Sequence, residues 1–352
     1  MRNTKNVLYY IFGHDSIKEL NNIIGPRRLN DNSIFVYAID HFFKGKDLLN
    51  LLPIKPKDIV LFIDTTDEPH AEYIDFLVNQ IKSKCRSNLP VGIIGIGGGS
   101  TMDIAKCISI LLTNPGKAEI YQGWDLVKNP AIYKVAIPTL SGTGSEVSIT
   151  AVITTKTKKL GINSNYSVYD QVILDPNLMK TVPKEQFFYT AMDCYIHCVE
   201  SLRGSMIDDM SRAFAEKGIY LIREVFSKKI DYGKLMVSSY FGGLAVANTN
   251  VGICHPLSYG LALVLKYHHG IAVCIAFNQL KEYYKEVDEF HKLVKHFGIE
   301  LPKNIMKGIK EEDIQTMVAA TLKNEKPLTN AFGENWKQIF TPEKVRQLLL
   351  KM

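Results

Sequence analysis

An α/β domain followed by an all-helical domain is the architecture this sequence predicts, and three observations predict it. Over residues 1–180, short β-branched and aromatic runs alternate with helical patterns, as in a parallel sheet layered with helices. From Pro183 onward, long helical periodicity replaces the strand signals. Between residues 91–96 and the next helical pattern stands Gly97-Gly98-Gly99-Ser100, so glycines occupy a strand-to-helix junction. The expected domains are residues 1–180 and 181–352, with Asp175-Pro176 marking the turn that precedes the change.

In chain order, residues 7–13 (VLYYIFG) read as a strand and 16–24 as a helix ended by Gly25. Residues 33–40 (SIFVYAID) read as a buried strand closing on the carboxylate of Asp40, and 59–64 (IVLFID) as another. A helix over 70–84 leads to the strand 91–96. After GGGS, TMDIAKCISILLTN forms a helix with Ile104, Cys107, Ile108 and Leu111 on one face. The glycines at its start expose backbone N–H groups at the positive end of a helix dipole, which suits a phosphate, or else serve a tight turn. Asp40 is placed either to accept from a ribose 2′-hydroxyl or to cap a turn. Residues 134–155 give a strand, a loop in which Thr139, Ser141, Thr143 and Ser145 flank Gly142 and Gly144, and a second strand. That loop is a second phosphate and ribose contact or a cluster of hydroxyl-stabilised turns. KKLGI then leads to the strand QVILDP. Helices are expected over 184–201, 208–226, 232–247, 255–265, 270–287, 290–296, 311–323 and 342–351.

Composition narrows the function. At 46% hydrophobic and 22% charged residues the chain is an ordinary globular protein. Its net charge of +6 is scattered and forms no basic stripe, which argues against nucleic acid and suits a small anionic substrate. No run of about 18 apolar residues predicts a membrane span, and the first apolar run is too short for a secretory signal, so a cytoplasmic location is expected. The six cysteines (Cys85, Cys107, Cys194, Cys198, Cys254, Cys274) show no disulfide framework, in keeping with a reducing compartment.

Chemistry concentrates in residues 251–270 (VGICHPLSYGLALVLKYHHG), an apolar run holding His255, His268 and His269. His255 and His269 are fourteen positions apart, nearly four turns at about 3.6 residues per turn, a spacing that allows both to lie on one side of an interior helical segment. Upstream, Asp193 and His197 are spaced i, i+4 on an expected helix and point at one neighbour. Buried imidazoles and carboxylates need partners or a metal. One aspartate and three histidines suit a divalent iron or zinc ion with open coordination positions. Two other readings compete: a structural zinc held by Cys194, Cys198 and Cys254, and histidines satisfied within the core.

Taken together, GGGS with D-x-A-K, IPT-x-S-GTGSEVS, D-x-x-x-H, and two histidines fourteen apart ending in HG resemble the iron-dependent (group III) alcohol dehydrogenase family over nearly the whole chain. The resemblance implies a dinucleotide-binding α/β domain and a helical domain of the dehydroquinate synthase-like plan. NAD and a divalent metal, Fe2+ or Zn2+, would lie between them in a homodimer. It implies Asp193, His197, His255 and His269 as metal ligands. It places the pyrophosphate on Gly97, Gly98, Gly99 and Ser100, lines the cofactor with Thr139, Leu140, Thr143, Lys159 and Leu178, and makes Asp40 favour NAD over NADP. Many members carry a further histidine four residues after the first of the pair. Tyr259 stands there in this chain, so Tyr259 and His268 are the candidates for a proton relay.

The stretches LTNPG, YQGWDLVKNP, IPTLSGTG, KKLGIN, DQVILDP, MDCYIHCVESL and SYFGG resemble members acting on an eight-carbon sugar acid, 3-deoxy-α-D-manno-octulosonate. That likeness implies oxidation of its C8 alcohol to an aldehyde, which a partner aminotransferase would convert to an amine for lipopolysaccharide. The alternatives are an NAD-dependent oxidoreductase of a small alcohol, diol or aldehyde, and a dehydroquinate synthase-type lyase. The ligand pattern argues against the lyase.

Overall fold

The computed structural model describes residues 3–85, 88–227 and 230–352. The chain divides into two compact units, Met1–Lys156 with Leu160–Thr181, and Thr157–Lys159 with Val182–Met352.

Among the described residues the strands are β1 (Tyr9–Phe12), β2 (Phe35–Asp40), β3 (Ile59–Ile63), β4 (Gly92–Gly97), β5 (Gly123–Trp124), β6 (Tyr133–Pro138), β7 (Thr150–Thr154), β8 (Lys159–Asn163) and β9 (Gln171–Leu174), all in the first unit but for Lys159. Six make a parallel sheet in the order β1-β9-β6-β4-β2-β3, and β5-β8-β7 make a small second sheet. Helices α1 (Leu20–Ile24), α2 (Ala71–Cys85) and α3 (Gly99–Leu111) cover the large sheet. Successive side chains of a strand point to opposite faces. Val36, Ala38 and Ile93 accordingly pack with Ile74, Leu77 and Ile81 of α2 and Ile104 and Ile108 of α3. Phe35, Tyr37, Ile39, Ile94 and Ile96 face the other way, toward Ile17, Leu20 and Ile24. Burial on both faces explains why β2 and β4 read as continuous apolar runs.

Three local expectations are corrected here. Residues 16–19 are a 3-10 turn before the short α1, and a second 3-10 turn continues through Gly25. KKLGI ends in a strand, β8, rather than serving only as a lead-in. α3 is buried on nearly every side, because β7 packs on it as well as the large sheet. Lys106 shows the consequence: it is buried, and its Nζ donates to Ser148 O at 3.0 Å, Ser148 Oγ at 3.1 Å and Thr150 O at 2.7 Å.

The second unit is helical: α4 (Lys184–Arg203), α5 (Asp209–Ser227), α6 (Tyr232–Asn248), α7 (Cys254–Leu265), α8 (His269–Asn278), α9 (Val287–Phe297), α10 (Glu311–Leu322), α11 (Glu325–Phe332), α12 (Trp336–Ile339) and α13 (Pro342–Leu350). α4 is the centre, buried from Phe187 to Ser201 and packed by α5, α6 and α8, while α7 lies against α8 and α10. Thr157–Lys159 joins this unit, where Lys323 Nζ donates to Thr157 O. The helix expected over 270–287 stops at Asn278, and turns carrying the buried Leu280 and Tyr284 precede α9. The turn is more exposed than α8, with Lys281, Glu282 and Lys285 at the surface, but Leu280 and Tyr284, one helical turn apart in sequence, mimic a helix face. α11 and α12 fall outside the expected helices. No helix among the described residues is long and apolar enough to cross a membrane.

Candidate metal centre and nucleotide cradle

Helix α4 sorts its polar residues by face. Asp193, His197 and Glu200 recur at i, i+4 and i+7 and therefore share one side. Cys194 and Cys198 lie on another, in the packing with α5 and α6. There Cys194 Sγ meets Ser238 Oγ at 3.3 Å, and a Cβ on Gly218 would come within 2.6 Å of Cys198 Sγ. These thiols are core packing, and burial with their mutual contact pushes the Cys198 thiol well up. Burial and Glu200 do the same for Cys254, whose Sγ donates to Val273 O. The cysteine zinc reading is thereby set aside.

His255 and His269 are not on one helix. α7 begins at Cys254, with Pro256 tolerated in its first turn, and ends at Leu265, after which Lys266 takes a left-handed conformation (φ 61°). α8 then starts at His269. Each histidine thus sits in the first turn of its own helix, and packing of α7 and α8 brings their rings to a centroid distance of 5.5 Å.

Around Asp193 the four residues converge. His255 Nε2 lies 3.2 Å from Asp193 Oδ1, His269 Nε2 3.6 Å and His197 Nε2 3.8 Å. The rings of His197 and His255 stack at 4.5 Å. Asp193, His197 and His255 form the tightest set, with ligand atoms all within 4.8 Å of one another, while His269 approaches from a more open side, 27% exposed. Atoms bonded to one ion at about 2.0–2.2 Å stand roughly 3–3.6 Å apart, so the cluster has the right size for a divalent cation. Asp193 Oδ2 is buried and accepts no hydrogen bond among the described residues. Burial would push the Asp193 carboxyl up, but His197, His269 and His255 hold it well below the usual carboxylate range. Burial likewise opposes charge on His255, yet Glu200 and Asp193 raise it to about 9. These residues fit a divalent cation.

Tyr259, one turn beyond His255 on α7, belongs to the same ring cluster, 6.0 Å from His269 and 6.4 Å from His255. Lys159 Nζ stands over its ring, 5.3 Å from the centroid. His268 is exposed at the N-cap of α8 and makes no ring contact with the cluster among the described residues.

In the first unit the carboxyl ends of β2 and β4 bring Asp40 beside Gly97, where an added Cβ would lie 3.0 Å from that of Asp40. Gly97 ends β4, Gly98 is the N-cap of α3, and Gly99 and Ser100 open the helix. Thr139 N donates to Gly97 O at 3.0 Å, Leu140 lies against Gly98, and Thr143 approaches Gly99 so closely that a Cβ would meet it at 2.7 Å. Glycine run and hydroxyl loop therefore form one cradle at a helix N-terminus, suited to a phosphate. Asp40 caps the following turn, accepting from Phe42 N at 2.9 Å, with Thr65 Oγ1 at 3.3 Å. Leu178 is half-buried and packs into the core under the sheet.

A sequence profile described as iron-containing alcohol dehydrogenase matches residues 9–176, and one for the C-terminal part of the Fe-containing alcohol dehydrogenase family matches residues 187–299. The chain belongs to the iron-containing alcohol dehydrogenase family. Among relatives of this family member, sulfoacetaldehyde reductase of Bilophila wadsworthia is 34% identical over 190 residues, 51% of this chain and 49% of that protein. NAD-dependent methanol dehydrogenase of Bacillus methanolicus is 33% identical over 192 residues, again 51% and 49%. The chain thus spans about half the length of these curated relatives. In fold it is similar to sulfoacetaldehyde reductase from Bifidobacterium kashiwanohense, solved in complex with NAD+, with a TM-score of 0.77 and 19% identity over 99% of this chain and 97% of that one.

Two residues behind the histidine cluster escaped the sequence reading. Glu200 Oε2 faces His255 Nδ1 at 2.5 Å, and Tyr284 O–H donates to Glu200 Oε1 at 3.2 Å. Glu200 carried a signal, three positions after His197 on the same face; Tyr284 carried none.

Proposed function

We propose that this family member is a metal- and nicotinamide-dependent alcohol oxidoreductase that oxidises the C8 primary alcohol of 3-deoxy-α-D-manno-octulosonate to the aldehyde, a 3-deoxy-α-D-manno-octulosonate 8-oxidase. The observation that carries the chemistry is the convergence of three imidazole Nε2 atoms on Asp193 Oδ1, with the second carboxylate oxygen bare. Asp193, His197, His255 and His269 would hold the divalent cation. Gly97, Gly98, Gly99, Ser100, Thr139, Leu140 and Thr143 would hold the NAD pyrophosphate, with Asp40 at the ribose. When bound, the cation supplies Lewis acidity at the alcohol oxygen and the nicotinamide accepts the hydride.

The protein's own part is to position and to move a proton. The three histidines and Asp193 leave the side toward His269 open for the substrate hydroxyl. Tyr259, inside the ring cluster, is the first candidate for passing the hydroxyl proton outward, and His268, exposed at the start of α8, is the second. Lys159 brings a cationic side chain beside Tyr259, which favours the anionic sugar acid. Leu178 supports the cradle by packing. The sugar-acid assignment rests on the sequence stretches quoted above and on the net charge of +6. The enzyme would work as a cytoplasmic homodimer, its aldehyde consumed by an aminotransferase, without nucleic-acid or membrane partners.

A second reading, oxidation or reduction of a small alcohol or aldehyde, is favoured by the relatives named for sulfoacetaldehyde and methanol. One experiment separates the two: anaerobic incubation of Fe2+-loaded protein with 3-deoxy-D-manno-octulosonate or with short diols, with and without NAD. C8 aldehyde with stoichiometric NADH is the expected result. Oxidation of the diols alone would replace the sugar acid with the second reading, and aldehyde formed only after oxygen is admitted would move the electron acceptor from NAD to oxygen.

A further inference from the structure

We propose that Glu200 is the positioning residue that fixes the ring state of His255 and thereby sets the affinity of the centre for a divalent cation, with Tyr284 and the Cys254 backbone holding its carboxylate in place. This rests on the metal reading above and extends it to residues that do not ligate.

Glu200 is buried, 1% exposed, and both of its oxygens are engaged by donors. Oε1 accepts from Cys254 N at 2.6 Å and from the Tyr284 hydroxyl at 3.2 Å; Oε2 faces His255 Nδ1 at 2.5 Å. An ionised carboxylate can only accept, so Nδ1 keeps its proton toward Glu200, and Nε2, beside Asp193, is the ring atom that a cation would take in exchange for its proton. Metal-binding histidines commonly rely on such a carboxylate behind them. The arrangement is tightly fitted. A Cβ on Gly252 would collide with Tyr284 Oη and come within 2.9 Å of Glu200 Oε1, so glycine is what lets the chain entering α7 pass this close. Because Glu200 sits three residues after His197 and seven after Asp193, one rigid helix carries two ligands and the support of a third. With Asp193, Glu200 also brings the buried negative charge to two, matching a divalent ion.

Replacement by glutamine exposes the logic. The amide would have one accepting and one donating end, whereas its surroundings offer donors on both sides. With its amide N–H toward His255, Nδ1 must become the acceptor and the ring proton moves to Nε2, blocking the ligating atom. With the amide reversed, N–H meets N–H at Cys254. Either orientation costs metal affinity.

The test uses the full-length protein stripped of metal, with Zn2+ and Co2+ as probes in chelator competition, comparing wild type, Glu200→Gln, Glu200→Asp and Tyr284→Phe, with Asp193→Ala as the control. Glu200→Gln is expected to weaken Zn2+ binding on the order of 10- to 100-fold. Glu200→Asp, which keeps the charge but withdraws the acceptor by one methylene, is expected to weaken it by about tenfold, and Tyr284→Phe less. Nitrogen-15 spectra of the zinc-loaded wild type should show the His255 proton on Nδ1. Wild-type affinity in both Glu200 variants, or a zinc-loaded wild type whose His255 proton is not on Nδ1, would overturn the proposal. A purely structural Glu200 would lower the melting temperature of the metal-free protein and leave affinity alone. If Glu200→Gln does not fold, Glu200→Asp decides on the same criterion. Equal binding by wild type and Asp193→Ala would instead overturn the metal centre itself, and this proposal with it.

Discussion

Two largely buried aspartates, one in each unit, are finished in opposite ways. Asp103 on α3 is satisfied by its own chain: Oδ1 accepts from Ser145 Oγ at 2.5 Å, Oδ2 from Val152 N at 2.9 Å, and Lys106 Nζ stands 4.0 Å away. Asp193 on α4 has three imidazole nitrogens around Oδ1 and a bare Oδ2. The difference shows in their acidities. Burial pushes the Asp103 carboxyl up and outweighs Lys106 and the two hydrogen bonds, whereas at Asp193 the histidines overcome burial and pull it down. A carboxylate used to lock a fold is paired off by donors, because an unmet buried charge is costly. One kept for a cation is surrounded by groups that can trade a proton for the metal.

The largest expected effect separates the two directly. Asp193→Ala or His255→Ala should lose retained metal and turnover together, by more than the roughly 10- to 100-fold losses typical of groups behind a ligand. Asp103→Asn should retain metal. Metal content after gel filtration and the shift in melting temperature on adding Zn2+ check both, since an ion at about 100 times its Kd stabilises by ~2.7 kcal/mol. No shift in Asp193→Ala and a wild-type shift in Asp103→Asn is the expected pair; equal shifts would dissolve the contrast.

Lys106→Met tests the lock itself. It takes the Nζ donor from the carbonyls of Ser148 and Thr150, leaving Thr150 O only Ser148 Oγ, which should cost about 1–3 kcal/mol in urea unfolding without altering Zn2+ affinity. A neutral result would mean that the hydroxyl loop is held by other contacts.

The smallest effect is at a half-exposed pair in the helical unit, where Arg223 donates to both oxygens of Glu289 at 2.8 and 2.7 Å and Tyr195 O–H adds a third bond. Burial raises the Glu289 carboxyl, but these bonds win and hold it below its ordinary 4.5. A depressed carboxyl contributes stability above pH 4.5, which is lost as pH falls through the folded value. Arg223→Ala should therefore cost no more than ~1 kcal/mol near neutrality, with the difference vanishing in acid. A pH series of unfolding curves measures it.

Much of this was legible in advance because it is local. The i, i+4 spacing of Asp193 and His197 needs only a helix to put both on one face, and the glycine run needs only a strand before it and a helix after it. Where the reading failed, information from elsewhere in the chain was required. Separate helices were expected over 255–265 and 270–287, but only the structure shows that Lys266 turns left-handed between them and that α8 starts one residue earlier, at His269. The cysteines at 194 and 198 have the same spacing as a ligand pair. Only the close approach of Gly218 and the contact with Ser238 reveal them as core.

By itself the sequence determined the succession of a parallel α/β unit and a helical unit, the strand-to-helix glycine junction, and the candidate ligands, since each follows from periodicity and short-range spacing. Tertiary structure alone decided that the first turns of α7 and α8 bring His255 and His269 together, that Lys159 stands beside Tyr259, and that Glu200 and Tyr284 stand behind His255. Those contacts join residues tens of positions apart, and their partners are chosen by how helices pack, which no local pattern encodes.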